Sequence, residues 1–228
     1  MKITYFGHSA FLVQSKGFRA LVDPFLTGNS HTDVTPDDFK DITHIFVTHG
    51  HSDHLGDTEA IAKNCNSLVI CNAEIASFLS KRNVRTHPMH IGGRKTFDFG
   101  RVKMTPALHG SGITTENGTI EGGNPGGFLI EIEGKKLYHA GDTGLSMEMK
   151  LLERENIDVA LIPIGGNFTM DVEDAVTAVN FIQPKIVIPM HYKTFPVLDG
   201  TPEDFKEKIE KIKNVEVKIL DSGESFEF

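Results

Sequence analysis

Tryptophan is absent from this sequence, tyrosine occurs three times and cysteine twice. Two cysteines, Cys65 and Cys71, cannot build a disulfide framework, and this usage favours a reducing compartment. Cys71 ends the apolar run Leu68-Val69-Ile70 and reads as a core residue; Cys65 reads as a surface thiol. Nowhere does an apolar run approach the roughly 18 residues that a membrane-spanning helix needs. The first residues read as a strand, not as a charged leader, so the expected location is cytoplasmic. An excess of basic charge is also missing: 23 lysines and arginines stand against 31 acidic residues, a formal charge of −8. That balance excludes an extended footprint on nucleic acid or on an anionic membrane, but leaves room for a small anionic substrate at a locally positive centre. No linker, repeat or shift of composition divides the chain. The 39% of apolar residues suffices for one core, and residues 1–228 are expected to form a single domain.

Histidine is what the chain has in unusual density. Thr48-His49-Gly50-His51-Ser52-Asp53-His54 directly follows the apolar run Ile45-Phe46-Val47. On a helix, His49, His51 and His54 would not share a face, because only positions three or four apart do. The stretch is therefore expected to be a loop at the end of a strand spanning Thr43 to Thr48. There His49 and His51 can turn toward one ion while Asp53 and His54 face another. Imidazole with carboxylate suits Zn, Mn, Fe or Ni, whereas Ca or Mg alone would draw mostly oxygen ligands. The plain alternative is a solvated, histidine-rich turn or an adventitious metal tract.

Further candidates fall where strands are predicted to end. A meander, Lys2 to Tyr5, Ala10 to Gln14 and Phe18 to Val22, sets His8 at its first turn and Asp23-Pro24 at its exit. A turn histidine and a turn-forming Asp-Pro account for these two positions as well as function does. A strand run over Lys95 to Ala107, turned at Phe99-Gly100, leads to His109, and the hairpin Phe128–Ile132 with Lys136–His139 leads to Gly141-Asp142. The buried strand Val159 to Ile164 leads to Gly165-Gly166-Asn167, and Ile186 to Pro189 leads to His191. Asp142 could equally cap the next helix, and Asn167 could be an ordinary turn residue. His31, His44, His87 and His90 read as solvated. Helices are expected over Thr58–Asn64, Ala73–Arg82, Ser146–Glu155 and Asp171–Ile182, and from the cap Thr201 onward. The glycine-rich stretch Gly110 to Gly127 is expected to lack regular structure and to be a lid beside His109, or else disordered. An edge strand is expected over Val215 to Leu220, and a homo-oligomer paired through it is possible in principle.

His-x-His-x-Asp-His after an apolar strand resembles the signature of the metallo-β-lactamase fold superfamily, and the resemblance extends over essentially the whole chain. It implies an α/β fold, a four-layer αβ/βα sandwich with metals at the sheet edges between the halves. It further implies two divalent ions (Zn, Mn or Ni), one on His49, His51 and His109 and the other on Asp53, His54 and His191, with Asp142 bridging them. Asp23 corresponds to the aspartate that supports the histidine loop from behind. The early Gly-His is similar to the branch related to ascorbate-6-phosphate lactonase, where such a histidine lies near the metals.

On this reading a hydroxide shared by the two ions attacks the substrate, and no serine or cysteine nucleophile is needed. Binding and leaving-group assistance falls to His8, His191 and Asn167, while Asp53 doubles as catalytic group and ligand. Four positive charges on the ions, less Asp53, Asp142 and one hydroxide, leave about one positive charge. A small anionic phosphodiester or lactone is the expected substrate. Competing expectations are a metal-dependent sensor that binds an anion without turnover, and a di-iron oxidoreductase.

Overall fold

The computed structural model describes residues 1–212 and 214–228. Its first sheet is built from β1 (Lys2–Tyr5), β2 (Phe11–Ser15), β3 (Phe18–Val22), β4 (His44–Phe46), β5 (Leu68–Asn72) and β6 (Thr86–Met89). Three helices accompany these strands: α1 (Ser52–Leu55), α2 (Thr58–Cys65) and α3 (Ala73–Ser80). The second sheet collects β7 (Arg94–Phe97), β8 (Gly100–Pro106), β11 (Gly126–Ile132), β12 (Lys135–His139), β13 (Val159–Pro163), β14 (Ile186–Met190) and β15 (Glu216–Val217). Between β8 and β11 stands a separate hairpin, β9 (Gly112–Thr115) with β10 (Gly118–Glu121). Helices α4 (Val172–Ile182) and α5 (Pro202–Ile209) follow β13 and β14, and the chain ends in β16 (Ser225–Glu227). β16 pairs with β1, so the last strand returns to the first sheet.

Side-chain alternation explains the layers. Along β3 to β5, Phe18, Ala20, Val22, Phe46 and Ile70 face the core shared with the second sheet. Their neighbours Leu21, Ile45, Val69 and Cys71 point the other way, onto Ile61 of α2 and Ile75 and Leu79 of α3. Successive strand residues alternate between faces, so one apolar run feeds two cores. Each fully buried side chain of the size of Phe46 or Ile70 contributes about 1.5–3 kcal/mol. The expected four-layer sandwich is the observed one.

Strand direction positions the functional edge. β1 and β2, and β2 and β3, pair antiparallel, and β3 and β4 pair parallel, so β1, β3 and β4 share one direction. In the second sheet, β8 and β12 both run antiparallel to β11, and β12, β13 and β14 are mutually parallel. Asp23, His49 and His8 lie just beyond the carboxyl ends of the first set. His109, Asp142 and His191 lie just beyond those of the second.

Several expectations require correction. The histidine motif is not loop throughout: α1 begins at Ser52 with His51 as its cap, so Asp53 and His54 stand in a helical turn. The stretch Gly110 to Gly127 is structured, carrying β9 and β10 and burying Ile113. Its base is pinned by Ser111 Oγ, which accepts from the Gly50 amide at 3.0 Å and donates to the Gly122 carbonyl at 2.8 Å. Met147–Glu155 is a 3-10 helix, not an α-helix. The edge strand expected at Val215–Leu220 is shortened to Glu216 and Val217, which pair with Ile186 and Val187 of β14.

Candidate metal centre

Seven side chains singled out by the sequence meet where the two sheets face each other. The ring nitrogens of His49, His51 and His109 lie within 4.8 Å of one another. His49 Nε2 stands 3.0 Å from His51 Nδ1, which is 3.2 Å from His109 Nε2. Ligands about 2.0–2.1 Å from a tetrahedral ion lie ~3.3 Å apart, so these separations suit a common cation. A second group brings together Asp53, His54 and His191, and here His8 joins them. Asp142 stands between the groups. Its Oδ1 is 3.2 Å from His54 Nε2, and its Oδ2 is 2.9 Å from His191 Nε2 and 3.6 Å from His109 Nε2.

Backbone chemistry explains how so many polar groups reach one point. Gly141 adopts φ +64°, and a Cβ there would lie 2.8 Å from the Gly126 carbonyl oxygen and 2.9 Å from Thr48 Cβ. Only glycine lets the Asp142 turn approach the histidine loop this closely. His8, Asp23, Asn167 and His191 hold φ between 46° and 57° without being glycine. Such backbone strain concentrates at functional sites, where the surrounding fold enforces it. At His191 the backbone amide is fixed by donating to the His8 carbonyl at 2.7 Å.

Asp23 lies behind the loop as expected. One of its oxygens accepts from the Thr48 amide at 2.8 Å; the other accepts from Thr48 Oγ1 at 2.6 Å and lies 2.7 Å from His54 Nδ1. A proton held on Nδ1 leaves the lone pair of His54 Nε2 directed into the centre. His8 is fully buried, with Nε2 3.1 Å from Asp53 Oδ2 and Nδ1 3.0 Å from Thr194 Oγ1. Its ring packs 3.9 Å from that of His191 and meets Phe25 and Phe195 edge-on at 5.6 and 5.5 Å. Asn167 is exposed in the turn after β13, and its side chain has no hydrogen bond to the cluster among the described residues.

Electrostatics test whether these residues fit a metal. Burial alone would raise the Asp142 carboxyl, but His54 and His191 hold it well below its ordinary range. Burial would lower His54, yet Asp142 and Asp23 lift it well above the usual imidazole value. Burial pushes His8 down to about 4 against the pull of Asp53, and pushes His49 down as well. The centre thus buries carboxylates that call for positive charge beside imidazoles, His8, His49 and His109, that burial keeps from taking up a proton. Moreover, His54 Nε2, Asp142 Oδ1 and both ring nitrogens of His191 are buried without a hydrogen bond. Nitrogen and oxygen lone pairs converging in this way fit divalent cations of the borderline type.

His139, to which the sequence reading gave no role, is also part of the support. Fully buried, it donates from Nε2 to the Ser9 carbonyl at 3.0 Å and accepts the Gly141 amide on Nδ1 at 3.1 Å. It ties the His8 turn of one sheet to the Asp142 turn of the other. Its only trace in the sequence is a histidine closing an otherwise apolar strand, a weak signal for core function.

Comparison with known proteins agrees with this site. Residues 2–191 match the model of the β-lactamase superfamily domain. A "UPF0173 metal-dependent hydrolase" of Alkaliphilus metalliredigens is 59% identical over 228 residues, covering all of both chains. A protein of the same description from Bacillus thuringiensis subsp. konkukian is 52% identical, covering 99% of each. Among solved structures, Igni18, a metallo hydrolase of the hyperthermophilic archaeon Ignicoccus hospitalis, superposes with a TM-score of 0.90 at 37% identity. That match covers 100% of this chain and 98% of Igni18. Family match, sandwich topology and the histidine-aspartate cluster at its edge together place this chain in the β-lactamase superfamily, as a metal-dependent hydrolase of the metallo-β-lactamase fold.

Proposed function

We propose that the chain uses two divalent cations to hydrolyse a small anionic substrate, a phosphodiester or a lactone carrying a phosphate or carboxylate. The observation that carries this reading is Asp142, which reaches both histidine groups: its Oδ1 and Oδ2 approach His54 and His191 of the second, and Oδ2 also lies 3.6 Å from His109 of the first. His49, His51 and His109 would hold one cation and Asp53, His54 and His191 the other, with Asp142 shared. Cations bound there would polarise the scissile group and lower the pKa of a shared water. Zn, Mn and Ni all suit the donor set, and no cysteine takes part.

The chain's own residues would orient and exclude. Asp53 is the most open of the second group, with its side chain 25% exposed, and His8 fixes one of its oxygens. His8 is held in turn by Thr194, so a proton on its ring can be shared only with Asp53 or Thr194. Phe25 and Phe195 cover His8 and keep bulk water from that flank. Asn167, exposed on its turn, is the candidate for contact with a leaving group at the rim. The resemblance to the ascorbate-6-phosphate lactonase branch supports the lactone alternative.

The test joins elemental analysis of gently purified protein to hydrolysis of bis-p-nitrophenyl phosphate and of phosphorylated lactones. Apo protein is refilled with Zn, Mn or Ni, and His49→Ala serves as control. Close to two metals per chain, with turnover lost in the variant, is the expected result. Two metals with no turnover of either class would favour an anion sensor. Fewer than one metal under every condition would overturn the dinuclear reading.

A further inference from the structure

The end of the sandwich opposite the metal centre holds a cavity of about 520 Å³ that the hydrolytic reading does not use. It lies at the amino ends of β3, β4, β5 and β6, beside the turn joining β7 to β8. Its mouth joins the two sheets: Lys16, Gly17, Thr43 and Arg85 come from the first, and Phe97, Asp98 and Phe99 from the second. A volume of this size falls in the range of small-molecule sites.

The walls are aromatic. Phe99 packs on Phe18 at 4.4 Å between ring centres, on His44 at 4.6 Å and on Phe97 at 5.1 Å. His87 continues the series on Phe97 at 4.9 Å. Phe18 is buried, whereas Phe97 and Phe99 are only half-buried and border the cavity. His44, read from the sequence as solvated, is half-buried in this ladder, its Nδ1 2.9 Å from Thr43 Oγ1. Burial and the nearby Arg85 push it down to about 4, so the imidazole joins the wall as a neutral ring at pH 7.

Charge at the rim is predominantly positive. Lys16 and Arg85 are exposed, and neither has a carboxylate within ion-pair distance among the described residues. One guanidinium nitrogen of Arg85 donates to the Asn66 carbonyl, which orients the group and leaves its other donors available. Asp98 is the single acidic residue on the lining, so cations outnumber it two to one. In a chain of formal charge −8, two cations without acidic partners beside an aromatic cleft mark a local exception.

We propose that this cavity is a second ligand site, separate from the metal centre, for a planar aromatic molecule bearing an anionic group. The ring would lie against Phe97, Phe99 and His44, and the phosphate or carboxylate would meet Lys16 and Arg85. The proposal does not depend on which substrate the metal centre hydrolyses.

Titration calorimetry, with ligand-detected NMR, provides the test. The probes are adenosine 5′-monophosphate, naphthalene-2-carboxylate, inorganic phosphate and 2-naphthalenemethanol. Both aromatic anions are expected to bind, and Lys16→Glu/Arg85→Glu to weaken them by about tenfold or more. Phe99→Ala should act similarly. Because it also removes the packing of the β7–β8 turn on Phe18, His44 and Phe97, the doubly charge-reversed surface variant is the deciding one. His49→Ala should leave this binding within about twofold of wild type, separating it from anion capture at the metals. The two aromatic anions distinguish a phosphate from a carboxylate preference. Binding of neither aromatic anion would overturn the proposal. So would equal binding of the uncharged naphthalene, or binding lost in His49→Ala but retained in Lys16→Glu/Arg85→Glu.

Discussion

The two histidine groups at the metal centre are built to different standards of enclosure. In the group of His49, His51 and His109, only His49 is fully buried, and its support is a hydroxyl, Thr48 Oγ1, 3.0 Å from Nδ1. In the group of Asp53, His54 and His191, both imidazoles are buried; a carboxylate holds His54, and a backbone hydrogen bond fixes His191. A charged partner in a dry environment constrains a ligand more strongly than a hydroxyl does. On the proposed two-cation reading, the second position should hold its cation more tightly than the first, where His51 and His109 are only half-buried.

Breaking the shared element should have the largest effect. Asp142→Ala should lower the metal content at both positions and cut hydrolysis by roughly 10³-fold or more, read by elemental analysis and turnover. If one full metal equivalent survived, Asp142 would not be shared. Next comes the support of the second group. Asp23→Ala should weaken the more tightly held metal by about 10–100-fold. It should also cost roughly 3–5 kcal/mol of stability, since it leaves His54 and Thr48 without their buried partner. Competition with a chelator and chemical denaturation measure the two effects separately.

Replacing one ligand from each group sharpens the contrast. His109→Ala should release the more weakly held metal and leave the tighter one bound. His191→Ala should do the reverse, and identical chelator profiles for the two variants would remove the proposed asymmetry. A smaller effect is expected far from the centre, at Glu155. Arg94 and Lys103 reach its Oε1 at 2.6 and 3.1 Å, linking β7 and β8 to the 3-10 helix Met147–Glu155. Burial would raise this carboxyl, but the two cations lower it below its ordinary value. A lowered folded-state pKa means stability that is present above the unfolded value of about 4.3 and lost as pH falls through the folded one. Glu155→Gln should therefore cost ~1–3 kcal/mol at pH 7, and the difference from wild type should shrink progressively below about pH 4. Metal affinity should not change.

The legible part of the site was local. His49 to His54 announced itself through density and through the apolar strand before it, and His109, Asp142 and His191 through their places after predicted strands. Local pattern also marked Thr201 as a cap, and its side chain accepts the expected amide, from Asp204. What remained hidden depended on contacts between distant segments. The glycine-rich stretch 110–127 offers little periodicity. It becomes a hairpin arm because Ile113 finds a buried site and the Asn72 side chain grips the carbonyls of Gly122 and Asn124. Ser225–Glu227 is too short to show alternation, and its pairing with β1 spans nearly the whole chain. The settings of His139 and His44 do not follow from neighbouring residues, because Ser9 and Phe99, which complete them, lie in turns distant in the chain.

By itself, then, the sequence determined the inventory of the site: which strands lead into it, which donors stand at their ends, and that those donors suit borderline divalent cations. These properties follow from side-chain chemistry and from periodicity within a few residues. Tertiary structure alone decided that Asp142 reaches both histidine groups, that Asp23 and His8 enclose one of them, and that an aromatic cavity opens at the opposite edge. Each of these depends on how strands far apart in the chain are ordered and paired. That ordering is settled by burying two apolar faces of one sheet at once, a condition that no short stretch of sequence expresses.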